Sequence, residues 1–325
     1  MKIVRKIALA LAVLLVAVLG GGYLYLHAAY PNVGEAPDIR VEATPARLAR
    51  GEYLATHVAG CIDCHSTRDY TRFAAPMVPG TAGKGGEKFG EEMGFPGTFY
   101  SPNITPHHLG DWTDGEVYRA ITAGISKDGR PLFPVMPYAD FGKMDKEDIY
   151  SIIAYIRTLE PVVSEVPVSE ANFPMNLIMR TIPAEPAHTR RPSPSNTVEY
   201  GRYLVGASGC MHCHTPMEKG EPLPGMAFAG GGEFALPGGM LRAVNITPDV
   251  ETGIGSWTED MFVQRFKMYV DSSYVEPKIG PTDFNTIMPW LFYAGMEERD
   301  LRAMYAYLKT VKPVKNKVER FTPKQ

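Results

Sequence analysis

The sequence predicts an all-α protein in which an N-terminal transmembrane helix precedes two tandem helical domains. Three observations predict this architecture. The chain opens with an uncharged apolar run, the remainder repeats its motifs once in the same order, and no convincing run of alternating apolar and polar residues marks a strand. With 325 residues, the chain is long enough for two domains of ordinary size. We expect the membrane segment at 1–30, the domains at 31–165 and 196–325, and a proline-rich connector at 166–195.

The N-terminal run extends from Ile7 to Leu26 and follows three cationic residues, Lys2, Arg5 and Lys6. Twenty helical residues rise about 30 Å, which is the thickness of the hydrocarbon layer of a bilayer. The length favours an uncleaved anchor, and a signal peptide cleaved near "LHAAY" is the alternative. In both cases the cationic flank stays in the cytoplasm. We therefore expect the protein at the inner membrane of a bacterium, with the rest of the chain in the periplasm.

All four cysteines lie in two copies of the pattern Cys-x-x-Cys-His, formed by Cys61, Cys64 and His65 and by Cys210, Cys213 and His214. Disulfide bonds, which an oxidising compartment permits, would explain the cysteines but not the histidines. A zinc site does not require histidine directly after the second cysteine. The pattern is the attachment signature of c-type haem, in which the thiols bind the vinyl groups and the histidine reaches the iron. We therefore expect two covalently bound haem c groups, with one histidine of each motif as an iron ligand.

The residues that follow each attachment motif also repeat, so each half is predicted to be one haem domain with a long loop. The motifs follow the same order in both halves. One interval between motifs is longer in the first half and another is longer in the second half, so the differences in loop length compensate each other. The matched segments are "NITP" at 103–106 and 245–248, "DWT" at 111–113 and "SWT" at 256–258, "VMPY" at 135–138 and "IMPW" at 287–290, and the apolar segments 148–162 and 300–314.

Local signals place the helices within each half. Thr113 followed by Glu116 forms a capping-box pattern at the start of a short helix. The last helix of each half carries apolar residues at i, i+3, i+4 and i+7, beginning at Ile149 and at Leu301. Asp145 precedes the first of these helices as a candidate N-cap.

Each iron of an electron carrier needs a second axial ligand, and the chain has 16 methionines that could supply it. Met136 and Met288 occupy matched motifs late in each half, and each is followed by a proline that fixes the local backbone. Methionine is a common sixth ligand in electron carriers, where it raises the reduction potential. We predict that these two residues ligate the irons. Met144 and Met296 are the competing candidates, although packing against the last helix also explains them.

Three other features have predicted roles. The matched Trp112 and Trp257 are expected to pack near haem. The matched Asn103 and Asn245 could bind a haem propionate or shape a turn, and the turn is preferred because the surrounding residues favour turns. The long loop at 269–287 is a candidate surface for docking a partner.

Together these motifs resemble the membrane-bound cytochrome c subunits of bacterial alcohol, gluconate and related periplasmic dehydrogenases. The resemblance covers nearly all of 45–315 and rests on the first attachment motif, "SPNITP" (101–106), "WT" (112–113), "MP" (136–137), "AYIRTL" (154–159) and the second set. It implies two cytochrome c domains with methionine as sixth ligand. It also implies electron transfer from a partner dehydrogenase towards quinone or a terminal oxidase. The best-known members carry three attachment motifs and are usually not anchored by an N-terminal span, so this chain departs from them in both respects.

An electron-transfer subunit that performs no substrate chemistry is therefore the predicted function. It would carry electrons from a partner dehydrogenase or a quinol-oxidising complex to quinone, a soluble cytochrome or a terminal oxidase. A dihaem peroxidase is the alternative, but it needs an open iron position, which two matched Met-Pro motifs argue against. Nucleic acid is excluded as a partner because the net charge is −3 and no basic tract follows the N-terminus. The expected partners are oxidoreductase subunits and membrane lipid.

Overall fold

The computed structural model describes residues 1–218, 220–271 and 273–324, and this part of the chain is mostly helical. The N-terminal helix is followed by two sets of short helices in the same order, and one helical turn lies between the sets. The helices are α1 Lys2–Ala29, α2 Pro45–Tyr53, α3 Cys61–Cys64, α4 Pro106–Leu109, α5 Asp114–Ala123, α6 Tyr138–Phe141, α7 Lys146–Ile156, α8 Met175–Ile178, α9 Thr197–Ala207, α10 Cys210–His214, α11 Glu259–Lys267, α12 Trp290–Tyr293 and α13 Glu298–Leu308.

Short strands join the loops into three small antiparallel sheets, ordered β1-β2-β3, β4-β5 and β6-β7-β8. The strands of the described residues are β1 Lys88–Phe89, β2 Gly97–Tyr100, β3 Glu170–Ala171, β4 Met217–Glu218, β5 Glu221–Pro222, β6 Glu233–Leu236, β7 Gly239–Arg242 and β8 Phe321–Pro323. The dominant elements are helical, as predicted, and these sheets are an addition that the prediction of an all-α fold did not contain. Their strands are too short to show an alternating pattern in the sequence.

The first and last helices of each half cross in close contact, α2 with α7 and α9 with α13. A matched glycine lies at each crossing. A Cβ atom on Gly51 would lie 1.8 Å from the carbonyl oxygen of Ser151, and one on Gly201 would lie 1.8 Å from that of Ala303. Only glycine permits such a close approach of two backbones. Each half therefore contains an equivalent helix pair, and the two helices of each pair cross at the same glycine position.

The predicted helix signals are confirmed. Thr113 accepts a hydrogen bond from the Glu116 N–H at 3.1 Å, and the Glu116 carboxylate accepts one from the Thr113 N–H at 2.7 Å. The Asp145 side chain caps α7 by accepting from a backbone N–H. Ile149 and Leu301, which begin the periodic patterns of α7 and α13, are buried in the core.

The two halves exchange a matched pair of hydrogen bonds. The Tyr53 hydroxyl of the first half donates to Asp300 of the second half at 2.8 Å. The Tyr203 hydroxyl of the second half donates to Asp148 of the first half at 2.6 Å. Both aspartates are buried and lie in the first turn of the last helix of their half. The contact between the halves is therefore reciprocal.

The loop between α11 and α12 also contacts the first half. Its Ile279 N–H donates to the Thr71 carbonyl at 2.8 Å, and the Phe73 N–H donates to the Pro277 carbonyl at 2.9 Å. Part of the loop that the sequence offered for docking a partner is therefore packed against the first half. Ser272, in the same loop, lies outside the described residues.

Helix α1 has no buried residue, only Leu26 and Ala29 near its C-terminal end are partly shielded, and its most apolar 18 residues have a mean hydropathy of 2.5. Its length and composition suit a membrane span, and an N-terminal signal sequence has the same properties.

Candidate haem-attachment sites

Each attachment motif forms a single helical turn that starts at a glycine. Gly60 precedes α3 with φ 66° and Gly209 precedes α10 with φ 62°. This left-handed conformation suits glycine, which has no Cβ atom to clash with the backbone. Within the turn, the two cysteines are three residues apart and therefore lie on the same face. Each half thus presents two thiols side by side, followed at once by a histidine.

A backbone carbonyl orients the histidine of each motif. Nδ1 of His65 lies 2.7 Å from the Pro102 oxygen, and Nδ1 of His214 lies 2.7 Å from the Val244 oxygen. A carbonyl only accepts, so Nδ1 carries the hydrogen and Nε2 keeps its lone pair for a metal. Burial lowers the pKa of both imidazoles, which favours the neutral form that binds metals.

The repeated "NITP" segments hold these carbonyls in place. The side-chain oxygen of Asn103 accepts from the N–H and the hydroxyl of Thr105, at 2.8 and 2.7 Å. Asn245 accepts from Thr247 in the same way, at 2.9 and 2.8 Å. This arrangement is an Asx-turn, which confirms the preferred role of both asparagines. Because the residue before each asparagine supplies the carbonyl, the turn fixes the partner of the histidine.

A cavity of about 400 Å³ lies beside the first motif, which is a volume typical of cofactor sites. Cys61, Cys64, His65 and Met136 all line it. Cys64 is solvent accessible because it faces this space. The predicted position of Trp112 beside the cofactor agrees with its place in the cavity wall. The rest of the wall is largely apolar and includes Ile104, Val117, Ile121, Leu132 and Phe133. The residues present therefore fit an apolar macrocycle held through two thiols and a histidine.

Burial separates the candidate methionines. Met136 lines the cavity, whereas its competitor Met144 is buried in the core. In the second half, Met288 is partly buried and packs against the core, and its competitor Met296 is fully buried within it.

The two Met-Pro segments share one backbone conformation. Pro137 has φ −79° and ψ 52°, and Pro289 has φ −78° and ψ 60°. In each, the residue after the proline donates its N–H to the methionine carbonyl, at 2.8 Å for Met136 and 2.7 Å for Met288. These values define an inverse γ-turn centred on proline. The turn therefore fixes the backbone from which each methionine side chain projects.

The properties of the cysteine thiols argue against two other roles, that of a reactive thiolate and that of a structural zinc ligand. Burial raises the pKa of Cys61 to about 12 and that of Cys213 to about 11, so neither resembles a reactive thiolate. Among the residues that the structure describes, no group of three or more His, Cys, Asp and Glu side chains could hold a metal ion. Neither cysteine pair therefore has the remaining ligands of a structural zinc site.

No family model matches the chain. It is 28% identical over 290 residues to the cytochrome c subunit of a quinone alcohol dehydrogenase from Gluconobacter oxydans, covering 84% of this chain and 56% of that one. It is 32% identical over 247 residues to a fructose dehydrogenase cytochrome subunit from Gluconobacter japonicus, covering 70% and 46%. It is 29% identical over 221 residues to a dihaem c-type cytochrome from Cereibacter sphaeroides, covering 65% and 70%. The chain spans about half the length of the two dehydrogenase subunits.

All three relatives are cytochromes, and one is named as a dihaem c-type cytochrome, which confirms the prediction of covalently bound haem c. Two are named as cytochrome subunits of dehydrogenases, in agreement with the prediction that the chain is not itself the substrate-oxidising enzyme. The chain resembles, over most of its length, the cytochrome c subunits of bacterial dehydrogenases, and over a shorter part a dihaem c-type cytochrome.

Proposed function

We propose that the chain is a membrane-anchored dihaem cytochrome that carries electrons from a partner dehydrogenase to quinone, a soluble cytochrome or a terminal oxidase. The observation that carries the proposal is the matched geometry of the two attachment motifs. In both halves two thiols share a helical turn, and the next residue is a histidine whose Nδ1 is held by a carbonyl at 2.7 Å. In the proposal, each of the regions 31–165 and 196–325 holds one haem, and 166–195 connects them.

Four residues in each half would hold the cofactor. Two cysteines would form the thioether bonds, a histidine would bind the iron from one side, and a methionine would bind it from the other. These are Cys61, Cys64, His65 and Met136 in the first half and Cys210, Cys213, His214 and Met288 in the second. When bound, haem supplies one-electron redox chemistry, and the methionine ligand raises its potential. The chain would orient the ligands, exclude water and fill both axial positions.

The partner and the location follow from the relatives and from α1. Because relatives are named as subunits of alcohol and fructose dehydrogenases, we propose a dehydrogenase as the electron donor. Helix α1 is long enough to cross a bilayer, and Lys2, Arg5 and Lys6 would keep its start in the cytoplasm. The haem-binding halves would then face the periplasm at the inner membrane.

Substituting the proposed sulfur ligand tests the assignment. Met136→Leu keeps the side-chain volume and removes the sulfur, so we expect one of the two haem potentials to fall in a redox titration of the purified chain. The matched control is Met144→Leu, which should leave both potentials unchanged. The ligand assignment is wrong if Met136→Leu changes neither potential. A peroxidase would instead show, in the unmodified protein, one high-spin iron that binds carbon monoxide or cyanide rapidly.

A further inference from the structure

We propose that the connector segment 172–182 is a second membrane-contacting element, which rests on the lipid interface and places the first haem cavity at the bilayer surface. The proposal rests on the proposed function because it takes α1 as the membrane anchor. It names a lipid surface as the occupant of an apolar face that is otherwise exposed to solvent.

Three apolar side chains of this segment point away from the protein. Phe173 is 80% exposed, Ile178 is 46% exposed and Ile182 is 37% exposed. Ile178 ends one helical turn, and Ile182 directly follows the next turn, Met179–Thr181. Single exposed apolar residues are ordinary, but several on one short segment mark an interaction surface. We call these three residues the connector face.

The connector face adjoins the point where α1 ends. Tyr30 directly follows α1, and the Arg180 guanidinium donates to its carbonyl oxygen at 2.7 Å. Helix α1 also contacts the turn Met179–Thr181. Near the same end of α1, the rings of Tyr25 and Tyr30 pack edge to face at 6.3 Å. Tyrosines are enriched where a spanning helix meets the headgroup layer. A bilayer crossed by α1 would therefore meet the connector at this level.

The charge of the segment suits a lipid contact. Between residues 172 and 182 the only charged side chain is Arg180, which is engaged with Tyr30. Apolar side chains of an interfacial segment are typically buried about 5–10 Å into the boundary between headgroups and acyl chains. The three residues of the connector face are uncharged and can enter this boundary, whereas Arg180 lies on the inner side of the segment, where it lines the cavity.

The inner side of the same segment forms part of the first haem cavity. Asn176, Met179 and Arg180 line that cavity. Ala171, immediately before the segment, pairs with Gly97 in the small sheet of the first half. The segment is therefore a thin wall with the cavity on one side and the connector face on the other. Lipid against this wall would place the first haem beside the membrane surface.

Spin labels on introduced cysteines test the contact in the intact haem-loaded chain. The four native cysteines are consumed by thioether bonds, so a single introduced cysteine is the only free thiol. We would label Phe173→Cys and Ile178→Cys and reconstitute the oxidised protein into vesicles of phosphatidylethanolamine and phosphatidylglycerol. Collision rates with oxygen and with a water-soluble nickel complex report the depth of each label. We expect the oxygen-to-nickel collision ratio to be several-fold higher at both positions than at a label exposed to water.

Two control labels separate this proposal from the proposed anchor. Val250→Cys is the aqueous control, because Val250 is an apolar residue of the second half that is 69% exposed. Leu14→Cys, in the middle of α1, reports whether α1 crosses the bilayer. If Leu14 lies in lipid while the connector labels behave like Val250, the connector proposal is wrong and the anchor stands. If the connector labels lie in lipid and Leu14 does not, the anchor is wrong and the connector contact stands alone.

Discussion

Replacing Tyr53 with phenylalanine removes one hydroxyl from the contact between the two halves. Its oxygen lies 2.8 Å from the carboxylate of Asp300, which is fully buried. A hydrogen bond to a charged group contributes about 1.5–3 kcal/mol, and burial leaves no water to replace the lost donor. Asp300 keeps two donors, Tyr200 at 3.1 Å and Arg299 at 3.1 Å. We therefore expect Tyr53→Phe to lower the free energy of unfolding by about 2 kcal/mol.

The matched substitution Tyr203→Phe should cost less. Its partner Asp148 retains a two-pronged contact from Arg50, at 3.0 and 2.8 Å, and a further contact from Arg191. Two guanidinium partners compensate the charge of Asp148 better than one compensates that of Asp300. The expected loss for Tyr203→Phe is about 1 kcal/mol. The order of the two losses therefore follows from the number of cationic partners that each aspartate keeps.

Urea unfolding of the full chain in mild detergent, followed by far-ultraviolet circular dichroism, measures both losses. Arg50 pairs with Asp148 and also lies over the Tyr53 ring at 5.7 Å, so the difference between the loss in the double variant and the sum of the single losses measures the coupling of the two contacts. The reasoning fails if Tyr53→Phe stays within about 0.5 kcal/mol of the unmodified chain, the range of ordinary surface substitutions. It also fails if Tyr203→Phe is the more damaging change.

Three further substitutions, one of them with a matched control, test other parts of the structure. Gly51→Ala forces a Cβ to within 1.8 Å of a carbonyl of α7 and should cost at least about 1–3 kcal/mol in urea unfolding, whereas Gly206→Ala, with open space around it, should be neutral or stabilising. Burial acts to raise the pKa of Asp148, but hydrogen bonds and charge from Arg50 hold the pKa below its ordinary value. The resulting stability is present above about pH 4 and lost as the pH falls further, so Asp148→Asn should flatten that acid decline in unfolding measured against pH. Cys210→Ala should leave one covalently attached haem per chain on a haem-stained denaturing gel, and two attached haems would contradict the assignment of the second motif.

The sequence names the proposed site residues but not the groups that orient them. His65 and His214 could be named because the attachment signature has a fixed spacing. Their carbonyl partners belong to Pro102 and Val244, and a backbone carbonyl is available at every residue, so side-chain patterns do not identify it. In the sequence, the asparagine repeated at positions 103 and 245 was the signal for these two loops. An Asx-turn at the same place in both halves marks a loop whose backbone must be held.

The sequence repeat alone does not identify which methionine is the proposed iron ligand. Met136 and Met144 both have counterparts in the second half, so matching alone does not choose between them. The choice depends on which side chain faces the cavity, and that depends on the packing of α6 and α7. The Tyr53–Asp300 contact was equally hidden, because its partners lie 247 residues apart and no local pattern links them.

Helix α12 connects the two sites directly. It follows the second Met-Pro turn, and its Phe292 carbonyl accepts a hydrogen bond from Nδ1 of His57 at 2.8 Å, shortly before the first attachment motif. The neighbouring Tyr293 donates through its hydroxyl to the Ser208 carbonyl at 2.7 Å, just before the second motif. One helical turn thus holds the residues that lead into both attachment sites. Because the segment carrying the proposed ligand Met288 continues into this turn, a shift of that segment would also displace the hydrogen-bond partners of His57 and Ser208. Fixed relative positions of the two sites suit an electron carrier, because the protein around each haem should stay the same when the haem gains or loses an electron.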